Sequence, residues 1–224
     1  MITEHRSNSF VIWLSLGLSL VFIILGSIFL ASPSKESLVQ ITSKINEDDW
    51  VKGSRDASVI LVEYSDFQCP ACASYYPMVK KVAEEFGDRI AVVYRHFPLP
   101  IHQHAKVLSN AAEAAGKQGK FWEMHDLIFE NQIKLTSKSK EEVQVALKDL
   151  AASTGINTED FLKDLDSEEI KNKVEASYKT ATDAGINSTP SFFINGTKIS
   201  NPKDFDSFKI LIEEELNKTA PKDQ

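Results

Sequence analysis

Val59-Ile60-Leu61-Val62-Glu63-Tyr64-Ser65-Asp66-Phe67-Gln68-Cys69-Pro70-Ala71-Cys72 decides how this chain is read. The stretch opens on a β-branched, apolar run, Val59 to Tyr64, suited to a buried strand. Two cysteines three positions apart follow at once, and they are the only cysteines in 224 residues. Tyr75/Tyr76, Val79, Val82 and Phe86 then recur at helical spacing, with Gly87 as the stop. Pro77 lies inside this helix and predicts a kink. Ile90 to Phe97 reads as a second strand, closed by Pro98-Leu99-Pro100. Strand, helix, strand is a βαβ unit, which implies a parallel pair joined by a right-handed crossover.

Downstream, residues 103–184 read as a helical block. Its segments are Gln103–Gln118, Lys120–Asn131, Lys140–Ser153, Thr158–Leu165 and Glu168–Ala184. Ser139 with Glu142 predicts a capping box, and Gly155 and Gly185 sit where helix ends favour glycine. Ser191 to Ile194 returns to strand. Asn195-Gly196 predicts a type I′ turn into Thr197–Ser200. Asn201-Pro202 reads as the N-cap and first residue of a closing helix, with Phe205, Phe208, Ile212 and Leu216 on its apolar face.

Upstream, no charged residue occurs from Ser7 to Ser34. An apolar helix of about 20 residues spans the roughly 30 Å hydrocarbon layer of a bilayer. A cleaved signal peptide usually has a shorter apolar region and a small-x-small exit, whereas Phe29 and Leu30 are bulky. Residues 10–31 therefore read as one transmembrane signal-anchor helix after a short tail, 1–9. Arg6 on one side against Lys35 and Lys44 on the other leaves its orientation open. Residues 32–46 read as a polar linker and 47–224 as the folded domain. The expected class is α/β, with a helical insertion (103–184) between the βαβ unit and a C-terminal hairpin and helix.

The formal charge of −7, with no basic block, is a poor match to nucleic acid. Asn-x-Ser/Thr triplets at Asn187, Asn195 and Asn217 read as chance matches to a glycosylation acceptor.

The two thiols admit several readings. A structural disulfide across so short a loop would contribute only about 2 kcal/mol. A zinc site needs four ligands, and His102 and His104 would not share a helix face; the expectation is no metal. A cysteine in the first turn of a helix instead meets free backbone N–H groups and the positive end of the dipole, and both favour thiolate. That preference stabilises the reduced dithiol and makes the disulfide a better oxidant. Pro70, which lacks an N–H, shapes the loop with Ala71. Cys69 is expected to be exposed and to carry the mixed disulfide, Cys72 to be shielded and to exchange against it. Glu63 reads either as an outward strand residue or as a buried carboxyl with a raised pKa. The five histidines, His5, His96, His102, His104 and His125, read as surface or loop residues.

The run Glu63 to Cys72 resembles the active site of DsbA-like thiol-disulfide oxidoreductases of the thioredoxin superfamily. Arg95 to His102, Ala112 to Gly116, Gly119-Lys120-Phe121-Trp122 and Gly185 to Gly196 resemble its membrane-anchored and secreted bacterial branch. The resemblance implies a thioredoxin-like fold from about Asp48 onward. It implies a cis Thr189-Pro190 bond facing the cysteines, a Thr189 backbone that pairs with substrate, and Glu63 as proton acceptor for Cys72. Pro77 matches the family's kinking proline. Strongly oxidising members carry histidine where this chain has Ala71.

The expected function is oxidation of cysteine pairs in exported proteins by a Cys69–Cys72 disulfide, without metal or organic cofactor. A quinone-linked membrane reoxidase is the expected partner. The catalytic domain would face the extracytoplasmic side of the cell membrane, where disulfides persist. Alternatives are a disulfide reductase or isomerase of the same fold and a non-enzymatic peptide-binding module.

Overall fold

The computed structural model describes residues 35–219. The expected tail (1–9), transmembrane helix (10–31) and first linker residues lie outside the described residues. Among the described residues no helix is long and apolar enough to cross a membrane.

The βαβ unit forms as the periodicity predicts. Strand β2 is Val59–Ser65 and β3 is Ile90–His96, paired in parallel from Val59↔Ile90 to Ser65↔His96. Helix α2, Pro70–Phe86, crosses between them, contains Pro77, and ends at Gly87, whose φ is positive (51°), before a 3-10 turn. Both strands are buried, which is why they read as continuous apolar runs rather than alternating ones. Strand β4, Ser191–Ile194, pairs antiparallel with β2, and β5, Thr197–Ile199, pairs antiparallel with β4. The hairpin turn has φ 45° at Asn195 and 82° at Gly196, as a type I′ turn requires. The Asn195 side chain accepts from the Ile60 N–H (2.8 Å) and donates to Ser58 and Glu215. That residue is part of the fold's bonding.

Three expectations are corrected. Strand β1, Trp50–Gly53, was not foreseen; it pairs antiparallel with β3 and makes the sheet order β1-β3-β2-β4-β5. Its four residues are too few to show a period. The assigned linker, 32–46, is not a tether from Lys35 on. Helix α1, Lys35–Thr42, packs Leu38 and Ile41, with Ile45 after it, against the cluster of Val62, Tyr64, Val93, Phe97 and Phe193. Arg95 locks this segment to β3: it grips the Asp49 carboxylate at 2.6 and 2.8 Å and donates to the carbonyls of Lys44 and Ile41. The folded unit thus begins at Lys35, not residue 47. Finally, Asn201-Pro202 does not start the closing helix. That helix, designated α9 in chain order, is Phe205–Thr219, capped by Asp204, whose carboxylate accepts from the Ser207 N–H at 2.8 Å. Asn201 turns back and donates to the Pro190 carbonyl (3.1 Å).

Helices α3 (Ala105–Gly116), α4 (Phe121–Glu130), α5 (Gln132–Thr136), α6 (Lys140–Ser153), α7 (Thr158–Leu165) and α8 (Glu168–Asp183) form the insertion. The capping box of Ser139 and Glu142 is present. A core of Leu108, Phe121, Met124, Phe129, Leu147 and Phe161 joins these helices to Phe67, Cys72 and Tyr94, so the insertion covers the sheet beside the cysteines.

Candidate active site

Cys69 is the N-cap of α2 and Pro70 its first residue, so Cys72 falls in the first turn. Proline is tolerated there because that N–H would lack a helical partner anyway. Both cysteines are free thiols. Cys72 is 0% exposed, as expected, but Cys69 is only 7% exposed, a correction to the open position foreseen for it. Two segments from elsewhere cover it. The Cys69 thiol donates to the Thr189 carbonyl oxygen at 3.7 Å, and Gln132 of α5 donates to the carbonyls of Phe67 (2.8 Å) and Cys69 (3.0 Å). The Thr189-Pro190 bond is cis.

The two sulfurs differ strongly. The Cys72 side chain, then the Thr189 side chain and the backbone N–H groups of Cys72 and Ala71, hold the Cys69 thiol well below the ordinary thiol range, against an opposing push from burial. Burial, then Cys69 and the Glu63 charge, push the Cys72 thiol far up. The helix end contributes to this asymmetry, but the leading influence is the neighbouring thiol.

Asp66, which the sequence reading passed over, organises the loop. Its fully buried carboxyl accepts from the N–H of Gln68 (2.7 Å) and Leu99 (2.8 Å) and lies 2.7 Å from His102 Nδ1. Its own N–H donates to Cys72 Sγ at 3.5 Å, and its carbonyl accepts from the Cys69 N–H at 3.0 Å. One residue therefore ties the cysteine loop to the segment after β3. The usable signal was an Asp two residues before Gln68, the spacing of an Asx-turn.

The histidines also differ from expectation. His96, His104 and His125 are buried, not superficial. His96 Nε2 bonds Glu113 (2.9 Å), the His104 N–H donates to Gln68 (2.6 Å), and His125 Nδ1 bonds Asp126 (2.9 Å). Among the described residues no group of His, Cys, Asp or Glu could hold a metal ion.

Glu63 takes the buried alternative. It is 4% exposed on β2, and burial pushes its carboxyl up from 4.5 to about 7, against a smaller opposing pull from Ser65. The folded protein therefore keeps a proton on Glu63 where the unfolded chain has released it. Stability falls as pH rises through that window, by about 3 kcal/mol in total, and is level above it. Glu63→Gln, a neutral isostere, should cancel this component. Urea titrations at pH 5 and pH 8 should show the variant gaining on the wild type at the higher pH. An unchanged difference would mean Glu63 carries no such burden.

Comparisons with known proteins agree with this geometry. A family model described as thioredoxin matches residues 45–214. The curated relatives include an Na(+)/H(+) antiporter NhaA of Herminiimonas arsenicoxydans, 34% identical over 75% of this chain and 25% of its own length. The antiporter NhaA 1 of Salinispora arenicola is 34% identical over 73% of this chain and 24% of its own. The chain thus spans about a quarter of the length of these relatives. Among solved structures, alpha-DsbA1 of Wolbachia pipientis superposes with a TM-score of 0.70 at 19% identity, covering 80% of this chain and 96% of that one. Oxidised BdbD of Bacillus subtilis is 28% identical, with a TM-score of 0.63 and coverage of 84% and 97%.

Proposed function

The chain belongs to the thioredoxin family, and from that premise we propose that it is an extracytoplasmic thiol-disulfide oxidoreductase oxidising cysteine pairs in exported proteins. The observation that carries this reading is the placement of the sulfurs: Cys69 at the N-cap of α2, where the first-turn N–H groups lower its thiol from the ordinary range, and Cys72 sealed from water one turn on, which pushes its thiol up. A thiolate stable at neutral pH favours the reduced dithiol, so the Cys69–Cys72 disulfide gains oxidising power.

The reaction balances as two exchanges. A substrate thiolate attacks Cys69 Sγ, the Cys69–Cys72 bond breaks, and Cys72 leaves with a proton from Glu63. The second substrate thiolate then attacks the substrate sulfur of the mixed disulfide. A substrate disulfide forms, Cys69 departs as thiolate, and two electrons have passed to the enzyme. Thr189, with its carbonyl against Cys69 and Pro190 beside it, is placed to align an extended substrate backbone. Pro70 and Ala71 shape the loop between the sulfurs. A quinone-linked membrane reoxidase would return the electrons, and residues 10–31 would anchor the protein by a single pass. Outward orientation follows from the chemistry, since disulfide donors work in oxidising compartments. Antiport, the activity named for the curated relatives, is not carried over from proteins of which this chain matches a quarter.

A second reading, reduction or isomerisation, is favoured by Ala71, which supplies no imidazolium to the Cys69 thiolate. Equilibrating the purified protein against glutathione redox buffers separates the two. A potential closer to about −120 mV than to about −270 mV is expected, and one at the latter value would replace oxidation with reduction.

A further inference from the structure

The first exchange needs a substrate thiolate, yet a cysteine of an unfolded chain is mostly protonated. With a thiol pKa of about 8.5, only about 3% of it is ionised at pH 7, so a base at the site can contribute at most about thirtyfold to the attack. Few groups near Cys69 can serve. Glu63 lies buried on the Cys72 side, and Ala71 offers no proton acceptor. His96, His104 and His125 are buried, and His104 Nε2 is taken by the Lys138 carbonyl at 3.1 Å. His102 differs: its side chain is 17% exposed, and Nε2 has no partner among the described residues and is not sealed in. Its Nδ1 lies 2.7 Å from the Asp66 carboxyl. A carboxylate can only accept, so the neutral ring carries its proton on Nδ1 and leaves the Nε2 lone pair free. Buried Asp66 thereby sets both the tautomer and the orientation of the ring, as the carboxylate of a nucleophilic triad does. The same residue holds the cysteine loop, with its carbonyl on the Cys69 N–H (3.0 Å) and its N–H on Cys72 Sγ (3.5 Å). A second tie, from the His104 N–H to Gln68 Oε1 at 2.6 Å, fastens the far end of the His102 turn to the residue before Cys69.

We propose that His102, held by Asp66, is the general base that takes the proton from the attacking substrate thiol. The inference deepens the oxidase reading and rests on Cys69 as the sulfur attacked. His102 Nε2 accepts the substrate S–H proton as that sulfur bonds to Cys69 Sγ. The Cys69–Cys72 bond breaks, and its electron pair stays with Cys72. The imidazolium then gives its proton to water through the exposed edge of the ring. The second substrate thiol loses its proton in the same way as it attacks the first substrate sulfur, and Cys69 departs as thiolate. Electrons pass only through the sulfurs, and His102 moves protons alone.

The test uses the oxidised full chain and a reduced peptide holding one cysteine pair, mixed for a single turnover at pH 7. Acid quenching and mass spectrometry read the loss of the Cys69–Cys72 disulfide. A second peptide has selenocysteine in place of one cysteine; its selenol is already ionised at pH 7 and attacks without a base. His102→Asn keeps an N–H toward Asp66 but supplies no proton acceptor of comparable strength. It should slow the cysteine peptide on the order of tenfold, within the ceiling above, and leave the selenocysteine peptide at the wild-type rate. The alkylation profile of reduced Cys69 should not move. If His102→Asn fails to fold, His102→Gln carries the test. Equal slowing of both peptides would make His102 only a strut of the Asp66 cluster, and a cysteine peptide oxidised at the wild-type rate would hand its proton to water; either result overturns the base and leaves the oxidase reading standing. A wild-type disulfide that neither peptide reduces would remove that reading and the base with it.

Discussion

Cys69→Ser and Cys72→Ser should each lower the oxidation rate of a reduced substrate peptide on the order of a thousandfold or more, since neither can form the Cys69–Cys72 disulfide, but the two should differ when the reduced protein meets a disulfide. The difference follows from the positions of the two sulfurs. Cys69 caps its helix, where the backbone N–H groups of Ala71 and Cys72 favour its thiolate, so it is the sulfur suited to carry a substrate. Cys72 is wholly enclosed, with the Asp66 N–H on its sulfur. Reduced Cys72→Ser protein, offered a disulfide-bonded peptide, should accumulate a stable covalent adduct at Cys69, because no internal thiol remains to expel the peptide. Mass spectrometry under non-reducing conditions reads both results. A serine variant at position 69 that still oxidises peptide at the wild-type rate would end the catalytic assignment. An adduct on Cys72 in the Cys69→Ser protein would invert the roles.

The second large effect is expected at Asp66. Its fully buried carboxyl receives the backbone N–H groups of the half-buried Gln68 and Leu99 and stands 2.7 Å from His102. Asp66→Ala leaves those donors without their acceptor at a largely buried position. Breaking a buried polar cluster by removing its centre costs about 3–5 kcal/mol. Asp66→Asn, which keeps one acceptor oxygen, should lose less. Because the same residue positions both cysteines, the alkylation profile of Cys69 should also move toward the ordinary thiol range in Asp66→Ala. Denaturant midpoints together with rates of alkylation against pH check the two parts. A loss below about 1 kcal/mol would show that the cluster is not a strut.

The parts of this fold that were legible share a property: their signals are local. The buried strands β2 and β3 announced themselves as unbroken apolar runs, α2 by its spacing, and the Asn195-Gly196 turn by two residues that tolerate positive φ. The capping box at Ser139 closes within four residues. What was missed depends on partners far along the chain. Trp50–Gly53 is a strand only because β3 offers it an edge. Leu38, Ile41 and Ile45 look sparse among polar neighbours until the sheet face supplies their contacts and Arg95 takes the carbonyls beside them. Asn201 matched an N-cap pattern locally, yet the Pro190 carbonyl claimed its side chain and Asp204 took the cap.

By itself the sequence determined that two cysteines would stand at the start of a helix following a buried strand, because spacing and periodicity act over a few residues. The cis form of Thr189-Pro190 came from family resemblance, not from spacing. Only the tertiary structure decided that Glu63 faces inward, that Cys69 is nearly covered, and that Asp66 and His102 meet. Those outcomes turn on burial and on hydrogen bonds between residues tens of positions apart, and a linear pattern carries no record of which groups folding will deprive of water.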